Sequence, residues 1–173
     1  MARGKTPSDP AELEKLEWPY GWPPPWRNSR LLHHETAEKT MLAAHQSGRL
    51  HHAWLITGPR GIGKATLAWR FARFLLAGQQ QGGLFGDAPD GLDVAADAPG
   101  RSLIDARSHP DLFHLRRALN PDTGRMRAEI AVDDVRNLGA FMHMTPAMGD
   151  WRVAIVDSAD EMNRNSANAV LKV

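Results

Sequence analysis

The chain has no cysteine, a single tyrosine and a formal net charge of only +1 among its 173 residues. The absence of cysteine excludes disulfides and thiolate metal sites, and it fits a cytosolic protein. Because 21 basic side chains are balanced by 20 acidic ones, binding to nucleic acid through bulk charge is not indicated. The sequence also lacks an apolar run of membrane-spanning length and the basic-then-apolar pattern of a signal peptide. We therefore expect a cytoplasmic protein without a membrane partner.

Residues 58–65 have the pattern of a phosphate-binding loop except at the last position. The glycines allow backbone N–H groups to point at phosphate oxygens, and the lysine ammonium neutralises their charge. The last position normally supplies a hydroxyl to Mg²⁺, but alanine stands there, and Thr66 comes one residue too late. The pattern leaves ATP or ADP binding open and argues against Mg²⁺. The candidate nucleotide-binding residues are Gly58, Pro59, Arg60, Gly61, Ile62, Gly63, Lys64, Ala65 and Thr66.

The flanking sequence supports this interpretation of the loop. The apolar residues 53–57 predict a buried strand that leads into it. The residues after the loop predict a helix that turns one apolar face to the core, with Arg70 and Arg73 off that face. Strand, glycine loop and helix follow in the order that a P-loop needs. The alternative is a glycine-rich turn that binds no ligand, or a site that has become vestigial.

Composition divides the chain into a tail and one domain. Residues 1–28 form a tail rich in proline and tryptophan, which acts either as a docking motif or as a strap packed on the domain. Residues 29–173 form the domain. Within it, residues 79–105 are rich in glycine, aspartate, alanine and proline, and they predict a flexible surface insertion.

Helices and strands are predicted to alternate along the domain. A helix is expected over 35–46, and strands are expected within 109–116 and 151–157. Asp133 or Asp134 is expected to cap one helix, and Asn163 another with Val170 and Leu171 on its buried side. This alternation predicts an α/β fold, with a parallel sheet flanked by helices.

Asp157 is the candidate acid of a second nucleotide-site motif. Four apolar residues deliver it to the carboxyl end of a strand, where ligands bind in open α/β sheets. It would lie near a metal ion, directly or through water. Ser158 follows, where hydrolytic members of the class commonly have a glutamate. A positioned general base contributes about 10²–10⁴ in rate. Because Ser158 is not such a base and Ala65 lacks the hydroxyl for Mg²⁺, the sequence predicts little or no ATP hydrolysis.

The chain resembles the delta-prime subunits of bacterial DNA polymerase III clamp loaders, an AAA+ family. The resemblance rests on residues 47–64, on His109-Pro110-Asp111-Leu112 and on the stretch from Thr145 to Lys172. It implies an AAA+-like P-loop fold and a stator-like place in a ring with motor and delta subunits. That ring places a sliding clamp on primed DNA, as part of a DNA-directed DNA polymerase holoenzyme. The competing hypothesis is an active P-loop ATPase of the motor type.

Two departures from the family pattern lead to further expectations. Many relatives carry a four-cysteine zinc module where residues 79–105 stand, so zinc is not expected here. The histidine pairs 33–34 and 51–52 have diverging side chains and do not predict a metal site either. The resemblance also implies further segments after Lys172, including a strand between the P-loop strand and the Asp157 strand. We therefore expect a fold that is incomplete at its C-terminus, a fragment with an exposed apolar seam.

Overall fold

A computed structural model of the protein describes residues 14–15, 17–77, 89–120 and 122–173. Three helices precede three strands, and helices and strands alternate only after the third strand, so the predicted alternation holds in the second half of the described residues. In chain order they are α1 (Glu35–Gln46), α2 (Lys64–Ala77), α3 (Arg101–Asp105), β1 (Leu112–Leu115), β2 (Leu119–Asn120), β3 (Arg125–Met126), α4 (Val132–Met142), β4 (Val153–Val156), a 3₁₀ helix (Ala159–Glu161) and α5 (Arg164–Val170).

Strands β1 and β4 pair in a parallel sheet, and β2 and β3 form an antiparallel hairpin. The Val153 N–H donates to the Asp111 carbonyl at 2.9 Å, and the Asp157 N–H donates to the Leu115 carbonyl at 2.8 Å. A step of four residues along both strands in the same direction is the register of a parallel pair. The predicted strands within 109–116 and 151–157 are thus confirmed, and helices flank the sheet as expected.

The chain divides into two compact units. One comprises the described part of Met1–Pro24 with Phe113–Thr145 and Ala154–Val173, and the other comprises Pro25–Leu112 with Pro146–Val153. We call the first the Asp157 unit and the second the P-loop unit. Each has its own apolar cluster. None of the helices in the described residues is long and apolar enough to cross a membrane.

The core of the P-loop unit lies between α1 and α2. In α2, ten of the fourteen residues are buried, so the helix is covered on more than one face. Apolar residues outside the helices, among them Trp54, Ile56 and Val153, pack against this core. The buried members of the cluster are Met41, Leu42, Leu67, Phe71, Phe74, Leu75 and Leu92.

The core of the Asp157 unit is formed by α4 and residues around the sheet. Val135, Leu138 and Phe141 present one buried face of α4, as the spacing predicts. They pack with Leu115 and Ile130. Phe113, Ala154 and Val156 from the two strands pack against the same cluster, together with Ala169 and Val170 of α5.

The predicted strand over residues 53–57 is wrong, since these residues form no β-ladder. Trp54 and Ile56 pack on the core while Leu55 is 83% exposed, so the alternation of an extended chain is present. A strand also needs a neighbouring strand to take its backbone hydrogen bonds. Among the described residues, no strand pairs with this segment.

Arg70 and Arg73 lie outside the apolar cluster that α2 forms with α1, as the spacing predicts, but both side chains are buried. Arg73 donates from Nη2 to the carbonyls of Pro25, Trp26 and Asn28 and from Nε to Asp105 at 3.2 Å. Arg70 donates from Nε to Glu38 at 2.6 Å and from Nη1 to the Ser29 carbonyl. The segment that precedes α1 therefore covers a second side of α2, the one that carries the two arginines.

The two halves of the tryptophan-rich tail differ. Trp26 is buried, lies 6.2 Å from the ring of Trp69 and has the Arg107 guanidinium 4.3 Å above it, which is the packing of a strap. Trp22 is 61% exposed and stacks on Tyr20 with ring centroids 5.0 Å apart. The packing of Trp26 thus supports the interpretation of the tail as a strap on the domain. A docking role for Trp22 stays a prediction.

The predicted insertion falls partly outside the described residues, which exclude 79–88. The remainder contains α3, and both Leu92 and Ile104 are buried. Gln46 donates to the Pro89 carbonyl at 2.7 Å, which attaches the segment to the end of α1. Residues 89–105 are therefore packed on the P-loop unit, and the flexibility of the insertion stays a prediction.

Two details of the predicted helices need correction. The residue that caps α4 is Ala131, and Asp133 and Asp134 lie in the first turn, where their charge favours the helix N-terminus. Helix α5 ends at Val170, and Leu171 is exposed rather than on the buried side. The predicted cap of α5 is confirmed, since the Asn163 side chain accepts from the N–H groups of Asn165 and Ser166.

Candidate nucleotide-binding site

The P-loop has the curled backbone that its glycines permit. Gly58, Gly61 and Gly63 have φ values of +142°, +83° and +106°, a region that side chains with a Cβ rarely adopt. Helix α2 begins at Lys64, directly after the third glycine. The first N–H groups of a helix have no intrahelical partner, and together with the helix dipole they favour an anion at this end.

The Lys64 side chain folds back over the loop. Its Nζ donates to the Gly58 carbonyl at 2.7 Å and to the Pro59 carbonyl at 2.8 Å. An ammonium group has three donors, so these two bonds hold the charge against the loop without using all of its capacity. The ammonium group of Lys64 therefore lies on the loop itself.

The loop also has a neighbour that the sequence did not predict. The His34 ring lies against it and donates from Nε2 to the Ile62 carbonyl at 2.6 Å. A Cβ on Gly63 would lie 2.7 Å from the flexible end of Leu31 and 3.4 Å from His34 Nε2, and the φ of +106° would strain any residue other than glycine. Sequence reasoning considered this histidine only as a metal ligand, because the contact joins residues far apart in the chain.

The remaining predicted residues of the loop differ in exposure. Pro59, Arg60 and Ile62 are exposed at its tip. Ala65 is half-buried on the first turn of α2 and supplies no hydroxyl, and Thr66 is buried beneath it. The loop thus has the glycines and the lysine of the phosphate-binding pattern and lacks the hydroxyl that normally binds Mg²⁺ at this position.

Asp157 lies in the other unit, immediately after β4. Its Oδ2 is 3.8 Å from His114 Nε2, and about a third of its side chain is exposed. The His114 imidazole beside Asp157, the Arg116 charge and the Ser158 N–H together hold the pKa of this carboxyl below its usual range, against the opposing effect of burial. The lowered pKa favours the ionised carboxylate, which has the His114 imidazole and the Arg116 charge as neighbours within its own unit.

Ser158 stands where the hydrolytic glutamate of the class would follow. Its φ is +58°, in the left-handed region that costs energy for a residue with a Cβ. The chain turns there into the 3₁₀ helix, and the Glu161 N–H donates to the Ser158 carbonyl at 2.8 Å. Ser158 supplies neither a carboxylate nor the extended backbone of a continuing strand.

The motif His109-Pro110-Asp111 builds a buried polar cluster in the P-loop unit. Asp111 is fully buried and accepts from the N–H groups of Ala147 and Met148 at 2.7 and 2.8 Å. Its own N–H donates to His109 Nδ1 at 3.1 Å, and burial lowers the pKa of His109. These bonds fix the loop before β4 to the start of β1. The hydrogen bonds of the motif therefore have a structural role.

Comparison with known proteins supports a relationship over most of the chain. A family model described as "DNA polymerase III, delta subunit" matches residues 33–173. DNA polymerase III subunit delta' of Pseudomonas aeruginosa is 35% identical over 121 residues, or 70% of this chain and 32% of that protein. The subunit delta' of Escherichia coli is 30% identical over 132 residues, or 76% of this chain and 35% of that protein.

A second kind of relative matches at similar identity. DNA polymerase III subunit gamma/tau of Mycobacterium tuberculosis is 31% identical over 131 residues, or 73% of this chain and 19% of that protein. The chain thus spans about a third of the length of the delta' relatives and about a fifth of this gamma/tau protein.

Proposed function

The chain belongs to the DNA polymerase III delta-subunit family, and from this we propose that it acts as a clamp-loader subunit of the stator-like delta-prime type. In this role it joins motor and delta subunits in a ring. The assembled ring, rather than this subunit alone, contacts the sliding clamp and primed DNA. The work takes place in the cytoplasm, as part of the replicative DNA polymerase holoenzyme.

The observation that carries the stator role is the side chain at position 65. Ala65 occupies the first turn of α2 without a hydroxyl, beside an otherwise intact loop. Ser158 adds an independent defect, because it offers no general base after Asp157. Two missing groups favour a subunit that hydrolyses little or no ATP.

We also propose that the loop still binds ATP or ADP. The three glycines with positive φ and the Lys64 ammonium held on the loop support this, because they are the parts that contact phosphate. Without the hydroxyl at position 65, Mg²⁺ contributes little to the affinity. The nucleotide is then a structural ligand of the subunit.

The alternative function is an active motor-type ATPase. The gamma/tau relatives favour it, and so does the retention of both Gly63 and Lys64. In that case Asp157 would hold the metal through water, and a neighbouring subunit would supply the groups that this chain lacks.

ATP turnover separates the two functions. We would measure phosphate release by the protein alone and after mixing with motor and delta subunits. The proteins compared are wild type, Lys64→Ala and the control Lys39→Ala, which changes an exposed residue of α1. The stator role predicts that Lys64→Ala changes neither rate, because hydrolysis belongs to the other subunits. Turnover by the protein alone that disappears in Lys64→Ala and persists in Lys39→Ala would establish the motor function instead.

A further inference from the structure

The contact between His34 and the P-loop is set up by the fold around it. His33 has a φ of +61°, and this turn directs the chain into α1 with His34 at its N-cap position. The His34 carbonyl accepts the first helical bond, from the Glu38 N–H at 3.0 Å, while the His34 side chain makes no cap bond. The imidazole is thus left to contact another element.

Helix α1 is fixed against α2 close to this contact. Glu38, one turn after His34, pairs with Arg70 of α2 at 2.6 Å. Burial opposes the charge of Arg70, but the hydrogen bonds and charges of Glu38 and Asp93 outweigh it and raise the pKa of Arg70. Met41 and Leu42 then anchor α1 in the core. The packing of α1 on α2 therefore holds His34 beside the loop.

The bond from His34 determines the orientation of one peptide group. A carbonyl oxygen can only accept, so Nε2 carries the hydrogen. The Ile62 carbonyl and the Gly63 N–H belong to the same planar trans peptide and point in opposite directions. Because His34 holds the carbonyl on its own side, the Gly63 N–H is directed away from His34. Glycine on one side of this peptide would otherwise permit it to flip.

We propose that His34 is a positioning residue for phosphate binding, which holds the Ile62–Gly63 peptide so that the Gly63 N–H faces the phosphate of a bound nucleotide. The proposal rests on the nucleotide binding proposed above and identifies what keeps the loop in its receptive form before the ligand arrives. Preorganisation of this kind increases affinity because the loop does not have to be ordered on binding.

Two substitutions at one position test this role. His34→Asn provides a good helix N-cap, but its amide is too short to reach the Ile62 carbonyl, whereas the His34→Gln amide extends about as far as Nε2. His33→Asn is the matched control, since asparagine tolerates a positive φ and the His33 ring is exposed. The probe is a fluorescent ADP, titrated without Mg²⁺ into each protein.

We expect His34→Asn to weaken ADP binding about tenfold, the scale of one hydrogen bond. His34→Gln should stay within about threefold of wild type, and His33→Asn should not differ from it. In nucleotide-free protein, hydrogen exchange of the amides in the α1 and α2 core should be the same in His34→Asn as in wild type. A general loss of stability would instead accelerate exchange throughout the α1 and α2 core.

Three results would overturn the proposal: equal ADP affinity in His34→Asn and wild type, a loss in His34→Gln as large as in His34→Asn, or no ADP binding by wild type at millimolar concentration. Failure of the proposed stator function has a different readout, because a ring that contains the wild-type chain would then not load clamps. That result would leave the comparison of ADP affinities valid.

Discussion

At the scale of single residues, Ala65 separates phosphate binding from metal binding. The lysine before it lies on the loop with two hydrogen bonds to loop carbonyls, so the cationic part of the site is in place. The methyl group of Ala65 occupies the position from which a serine or threonine would coordinate Mg²⁺. Under the proposed function, the weak contribution of Mg²⁺ to nucleotide binding is due to one missing oxygen atom at this position.

We predict that Ala65→Ser makes nucleotide binding dependent on Mg²⁺. The new hydroxyl completes the loop, so the affinity for ATP should rise about tenfold on addition of Mg²⁺. Wild type should change little, and the control Ala68→Ser, on the same helix, should behave as wild type does. Isothermal titration with and without Mg²⁺ measures the difference. An equal Mg²⁺ effect in wild type and Ala65→Ser would show that another group holds the metal.

Asp157 gives a prediction about pH. The fold lowers the pKa of this carboxyl, chiefly through His114, so the native state favours its ionised form. The resulting stability is present above the unfolded-state pKa of about 3.9 and is lost as the pH falls through the lower folded value. Asp157→Asn should therefore be less stable than wild type at neutral pH, and the difference should vanish in acid.

The size of the Asp157 effect is limited by solvent. Since a third of the side chain is exposed, we expect a difference of about 1 kcal/mol or less at pH 7. Urea unfolding at a series of pH values measures it, with the exposed Asp160→Asn as control. His114→Ala should remove only part of the effect, because Arg116 and the Ser158 N–H remain. A difference that persists unchanged at pH 2 would contradict this account.

At the scale of elements, Arg73 attaches the chain before α1 to helix α2. One guanidinium satisfies the carbonyls of Pro25, Trp26 and Asn28 and also pairs with Asp105. Burial lowers the pKa of Arg73, and Asp105 offsets part of this cost. The three carbonyls belong to a segment without regular structure, so Arg73 takes the place of the backbone partners that a helix or strand would have.

We predict that Arg73→Ala destabilises the protein by roughly 3–5 kcal/mol, because it leaves several buried acceptors and Asp105 without their donor. Arg73→Lys should recover only part of this, since a lysine keeps the charge but lacks the planar fork. Arg49→Ala, at an exposed position, should stay within about 0.5 kcal/mol of wild type. Denaturant unfolding followed by tryptophan fluorescence provides the measurement. A lysine variant as stable as wild type would show that the fork geometry is irrelevant.

At the scale of the whole molecule, the elements that could be predicted are those governed by local sequence. The spacing of apolar residues gives α1, α2 and α4, and side-chain chemistry gives the Asn163 cap. What could not be predicted depends on partners distant in the chain. The segment 53–57 is not a strand because no strand pairs with it among the described residues, and Arg70 and Arg73 are buried because an irregular segment covers them.

The candidate site shows the same division. The loop Gly58–Lys64 is readable from spacing alone, since its function depends on a local backbone conformation. The contacts of His34 with Ile62 and of Asp111 with Ala147 join residues about thirty positions apart, and no local pattern encodes them. The pairing of Asp157 with His114 likewise depends on the register of two strands.

The last prediction concerns the protein in its assembly. If this chain is a stator, its nucleotide supports structure and does not drive the cycle, so Lys64→Ala should assemble with motor and delta subunits and load clamps at a rate within about twofold of wild type. The measurement is clamp loading on primed DNA by reconstituted rings, with Lys39→Ala as the surface control. The equivalent lysine change in a motor subunit should abolish loading in the same assay, since hydrolysis there is required. A loss of tenfold or more for Lys64→Ala, with assembly intact, would mean that nucleotide in this subunit takes part in the cycle.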